Sequence, residues 1–162
     1  MPPLHPVIVH FPIALMFAAG ALYLAGFLRK ADILLKAAFA MHIAGLVTGV
    51  VAILTGDYAE SQLVQNAAIH ALAELHESLA MISIWAFALL AVWAYVRHRS
   101  TVKAEKIAFI VLLVAVIGTT GYAGHIGGTM VYQHGAGVAP MREHLQHDVN
   151  SIPSDSFPEP AK

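Results

Sequence analysis

Ile107 to Gly118 reads IAFIVLLVAVIG, and the chain continues without an acidic or basic residue through TTGYAGHIGGTMVYQHG to Gly135. An uncharged run of this length is a helix that crosses a bilayer, whose hydrocarbon core takes about 20 residues. Within it Gly118, Gly121, His125, Gly128 and Tyr132 follow at spacings of three and four, which places them on one helix face. Such a face is smooth, with one imidazole projecting from it. It suits close helix packing or a flat ligand lying against the backbone.

Composition extends this reading to the whole chain. Of 162 residues, 58% are hydrophobic and 12% charged, with a mean hydropathy of +0.68, against about 45–50% apolar residues in soluble domains. Four runs are long enough to span, at about 6–28, 33–56, 70–96 and 107–132. The expected architecture is an all-α membrane protein, a four-transmembrane-helix up-down bundle formed by residues 1–138. A polar, proline-rich tail follows over 139–162. No basic start or small-residue cleavage pattern marks the first run as a signal peptide, so it is read as a retained span. No internal repeat stands out above the shared helix pattern.

Charge predicts orientation. Arg29, Lys30, Lys36, Arg97, Arg99, Lys103 and Lys106 flank the first-to-second and third-to-fourth connections, which places those connections in the cytoplasm. The connection between spans two and three carries Asp57, Glu60, Glu74 and Glu77 without a Lys or Arg. Both termini are then outside, in the periplasm of a bacterium whose inner membrane holds the protein.

With no cysteine, the chain has no disulfide, thiolate metal site, iron–sulfur ligation or covalently attached haem. Hydrolase, P-loop and dinucleotide motifs are absent from the sequence, and no basic surface suggests nucleic acid. The unusual residue is histidine, with ten copies. An up-down bundle brings His5, His10, His70, His76, His125 and His134 to the outer end. Rise per residue puts His10, His76 and His125 nearest a common depth inside it. His10 shares a small-residue face with Ala14, Ala18, Ala21 and Ala25, and His76 shares one with Ala80, Ser83 and Phe87.

Neutral imidazole is the usual axial ligand of haem iron, and bundles hold cofactors between facing helices. His10, His76 and His125 are therefore the expected ligands, with His10 and His76 diagonally opposed, and Gly121 and Gly128 lining the site. His5, His70, His134 and His42 form a second tier. His42, in the inner half, is read as a packing histidine that bonds a neighbouring helix. A haem near the outer face would find only Arg142 and Lys162 as basic partners for its propionates.

These residues predict a b-type haem protein, with one haem or two, that carries single electrons near the periplasmic face and is no stand-alone enzyme. Its partners would be the lipid bilayer and a periplasmic or membrane redox protein, with a homo-oligomer or larger complex as further options. The alternatives are a copper- or zinc-binding or transport module, and a structural subunit of a respiratory-type complex.

Two segments carry a family resemblance: LHPVIVHFPIAL (Leu4 to Leu15) and GGTMVYQHGAGV (Gly127 to Val138). They resemble the two ends of a bacterial membrane family, domain of unknown function 2231. Its members open with Leu-His-Pro and His-Phe-Pro, matched by His5, Pro6, His10, Phe11 and Pro12. They close with Gly-Gly, Val-Tyr and His-Gly, matched by Gly127, Gly128, Val131, Tyr132, His134 and Gly135. Similar proteins are sometimes joined to Rieske-type iron–sulfur domains, which implies electron transfer. His42 and His125 lie outside the family pattern.

Overall fold

A computed structural model describes residues 4–63, 67–98, 100–138 and 147. The tail with Arg142, His144 and Lys162 lies outside the described residues, except for His147. Five helices follow in order: α1 (His5–Ile8), α2 (His10–Arg29), α3 (Asp32–Glu60), α4 (Ala67–Val96) and α5 (Lys103–His134). No strand occurs among the described residues.

α1 and α2 are one span of 25 residues, His5–Arg29, interrupted at Val9. The interruption has a local cause in Pro12, which has no N–H for the Ile8 carbonyl and whose ring crowds that carbonyl. This span and the other three helices are long and apolar enough to cross a membrane, each with a mean hydropathy of 2.1 in its most apolar window.

α2 packs on α3 and α4 on α5 as two hairpins, while α3 also meets α4 and α2 meets α5. Among the described residues the backbones of α2 and α4, and those of α3 and α5, stay apart across the bundle. The arrangement is a square up-down bundle with two diagonals. The core is built from one face of each helix, including Met16, Ala19 and Tyr23 of α2, Ala38 of α3, Phe87 of α4 and Leu113 of α5. Large apolar side chains such as Phe17, Leu89 and Val111 face outward. That surface suits lipid, which is as apolar as the interior.

The connections at the basic end are tight. Lys30 closes α2 in a left-handed conformation, φ 52°, with its N–H bonded to the Gly26 carbonyl. Gly26 lets Leu35 cross close by: a Cβ there would lie 2.6 Å from Leu35 Cδ2. Between α4 and α5 the Glu105 carboxylate accepts from Arg97 Nε at 2.9 Å and from Ser100 Oγ at 2.6 Å. The bond to Glu105 pushes the exposed Arg97 guanidinium above its ordinary pKa.

The bundle contains a repeat that sequence inspection does not bring out. Moving 71 residues along the chain carries buried Met16, Ala19, Ala38, His42 and Ala52 onto buried Phe87, Leu90, Phe109, Leu113 and Ala123. Thr48 bonds the Ala44 carbonyl at 2.9 Å and Thr119, at the same offset, bonds Ala115 at 3.0 Å. The α1–α3 hairpin thus matches the α4–α5 hairpin in its register of buried positions. The contacts of α2 with α5 and of α3 with α4 correspond under the same offset, the pattern expected of two parallel repeats.

Candidate functional site

The repeat leads to two histidines. His5 begins the first hairpin and His76 lies 71 residues further on, near the start of the second. They stand on opposite corners of the square. Their ring centroids are 6.3 Å apart, with the ring planes at 89°.

Each ring is held the same way. His5 Nδ1 bonds the Ala52 carbonyl at 2.9 Å and His76 Nδ1 bonds the Ala123 carbonyl at 2.8 Å, both across 47 residues of chain. A carbonyl only accepts, so Nδ1 must carry the proton in both rings. In the neutral imidazoles the lone pair then belongs to Nε2. This is the hydrogen bond that orients metal-ligating histidines and fixes their tautomer.

A glycine one turn after each carbonyl makes room for the ring. A Cβ on Gly56 would stand 3.1 Å from His5 Cε1, and one on Gly127 would stand 3.3 Å from His76 Cε1. Both are closer than nearly all real Cβ contacts. Small residues continue around this level, with Ala52, Ala73 and Ala123 buried.

The remaining expected site residues fall elsewhere. His10 is exposed and its Nδ1 bonds the Pro6 carbonyl four residues back, at 2.6 Å. The buried face of α2 runs instead through Pro12, Met16, Ala19, Tyr23 and Gly26. On this face Pro12, not His10, continues the line from His5. His125 is also exposed, stacked on Tyr122 with ring centroids 6.3 Å apart. Gly121 looks into open space and Gly128 meets only the Tyr132 ring of its own helix. Tyr132 itself is 91% exposed. The glycine face of α5 therefore points away from the bundle, whose interior receives Phe109, Leu113, Val116, Ala123 and Ile126.

In the second tier, His70 is exposed and pairs with Glu74 at 3.5 Å, one turn along α4. His134 is half-buried at the end of α5. His42 is fully buried in the lower half, stacked on Phe87 and bonded through Nε2 to the Phe87 carbonyl at 2.9 Å.

A first span beginning at about residue 6 leaves His5 outside the helix, whereas α1 begins at His5. The signal for His5 was available as a pair of short identities at the repeat offset. Leu4-His5 matches Leu75-His76, and Ala52 with Gly56 matches Ala123 with Gly127.

Two imidazoles across one metal centre stand roughly 6 Å apart, centre to centre, given metal–nitrogen bonds of about 2.0–2.1 Å. The His5–His76 separation of 6.3 Å agrees with that. Among the described residues no group of three or more His, Cys, Asp or Glu side chains is placed to hold a metal ion. The pair thus offers two nitrogen donors, a set that suits a metal whose other ligands come from a macrocycle.

Neither the curated proteins nor the solved structures include a match to this chain. One family model does match, over residues 1–140, and it is described as a predicted membrane protein. Its span covers all four helices and both histidine-bearing ends, and the chain belongs to this family, DUF2231.

Proposed function

We propose that the protein binds a b-type haem through His5 and His76, near the outer face of a bacterial inner membrane, and serves as a one-electron carrier there. The observation that carries this reading is the matched pair: two imidazoles from diagonally placed helices, each with Nδ1 tied to a carbonyl and the rings 6.3 Å apart. The donor chemistry fits. His5 and His76 would hold a haem through their two neutral imidazoles, whereas structural zinc takes four protein ligands. Haem supplies the Fe(III)/Fe(II) couple that accepts and returns single electrons.

The chain's own residues bind and tune. Ala52 and Ala123 orient the rings and raise the basicity of Nε2 through the Nδ1–H bonds. The side chains buried at this level, Ala52, Ala73 and Ala123, are small, and an apolar core lies beneath them. The acidic connection that includes Asp57 and Glu60 would face the redox partner, and the bundle's apolar surface would sit in lipid.

Purified protein, expressed with haem supplied, is expected to contain haem b and iron in equal amounts, read by pyridine haemochrome and metal analysis. A preparation that holds zinc or copper and no iron would replace this reading with a metal-binding one.

A further inference from the structure

The two ring seats correspond at the 71-residue offset, and the rings they hold are perpendicular, at 89°. His5 comes from α1 and lies against Gly56 of α3; His76 comes from α4 and lies against Gly127 of α5. The rings share two constraints, and His5 Nδ1 lies in addition 3.4 Å from Thr55 Oγ1. Each Nδ1 is bonded to a carbonyl, at 2.9 Å for His5 and 2.8 Å for His76, which fixes one edge. Each Cε1 occupies the space that a Cβ on the neighbouring glycine would take, so the absence of that Cβ permits the ring's present rotation about that bond. In the second constraint the missing Cβ matters, because the neighbour's nearest atom is the imidazole itself. At Gly56 a methyl group would meet Cε1 at 3.1 Å and Nδ1 at 3.4 Å; at Gly127 the same atoms lie at 3.3 and 3.4 Å. The ring must turn or shift by a few tenths of an ångström, or lose its bond.

We infer that Gly56 and Gly127 are positioning residues that hold His5 and His76 at right angles, and so set the spectroscopic character of a metal centre bound between them. The inference rests on the haem reading above but makes a separate claim, about ring orientation. In a low-spin ferric centre with two axial imidazoles, the relative orientation of the rings decides the splitting of the iron d-orbitals. Perpendicular planes leave two of them nearly degenerate and give a highly anisotropic EPR signal with a large maximum g. Parallel planes separate them and give an ordinary rhombic signal. The 89° angle assigns the first type to this protein.

The other glycines of α5 provide a control. Gly124 has nothing within 4 Å of its would-be Cβ, so a methyl group there touches neither ring. A structural effect of adding a methyl to α5 would be shared by Gly124→Ala and Gly127→Ala, whereas an effect on the ring would appear only in the second.

The test is low-temperature EPR of the oxidised, haem-loaded full chain in detergent, for the wild type and for Gly56→Ala, Gly127→Ala and Gly124→Ala. The expected result is the highly anisotropic signal in the wild type and in Gly124→Ala, with maximum g moved toward the rhombic range in Gly56→Ala and Gly127→Ala. Wild-type protein with a plain rhombic signal overturns the perpendicular arrangement, even where the alanine variants do not fold. An anisotropic wild type whose signal is unchanged in both folded glycine variants overturns the positioning role and leaves the haem reading standing. A wild type that takes up no haem overturns both.

Discussion

The Tyr23 hydroxyl lies 3.4 Å from His42 Nδ1, and His42 Nε2 bonds the Phe87 carbonyl at 2.9 Å. Because the carbonyl accepts from Nε2, Nδ1 of the neutral ring is the acceptor and Tyr23 donates to it. His42 thereby links three helices through one buried ring. Its counterpart in the second hairpin is Leu113, so the polar link belongs to one half only. His42→Leu should fold but lose about 1–3 kcal/mol, because the Tyr23 hydroxyl is left unpaired in the core. The double variant Tyr23→Phe/His42→Leu should recover most of that loss. Reversible unfolding in mixed micelles measures both, and haem content should match the wild type in both.

Ser83 Oγ is buried, with the residue 3% exposed, and has no hydrogen-bond partner among the described residues. An unpaired buried hydroxyl costs about 1–3 kcal/mol. Ser83→Ala removes it along with very little volume. The variant should be as stable as the wild type or more so in the same unfolding measurement, and a clear loss of stability would show that the hydroxyl has a partner.

Lys30 takes the left-handed conformation with φ 52°, the one non-glycine residue with positive φ among those described. That conformation costs an L-residue roughly 1–2 kcal/mol, and glycine avoids the cost. Lys30→Gly should therefore raise the midpoint of thermal unfolding. Lys30→Val, with a β-branched side chain, should lower it.

Much of this architecture was legible in the sequence, for reasons that also explain what was not. The spans are visible because a helix that crosses lipid must be apolar over its whole length, as Ile107 to Gly118 is. The same property hides which face is inside. In water a core face stands out against polar neighbours, but around a membrane helix the lipid-facing side is equally apolar. The small residues that follow His10 and His125 could therefore be read as an interior stripe, whereas Ala14, Ala21, Gly121 and His125 are exposed. For α3 the face from His42 through Gly45, Gly49 and Ala52 is the buried one. His76 with Ser83 and Phe87 likewise faces inward. His5 was underweighted because Pro12 interrupts the helix and His10 turns back onto the Pro6 carbonyl. The repeat was hidden by its thin identity, since its halves share burial pattern more than residue type.

The outward positions of His10 and His125 make a direct prediction. Neither ring reaches the His5–His76 space, so His10→Ala and His125→Ala should each keep the full haem content of the wild type. Loss of haem in either variant, with the protein still folded, would move the ligand assignment to that residue.

The central claim is that His5 and His76 together complete one metal centre. It is tested most directly by the dithionite-reduced minus oxidised visible spectrum of the haem-supplied wild type beside His5→Ala and His76→Ala. The account predicts a sharp b-type α-band in the wild type and its loss in each single variant, because one remaining imidazole leaves the iron five-coordinate. An α-band of wild-type height in folded His5→Ala, or its absence from the wild type, would contradict it.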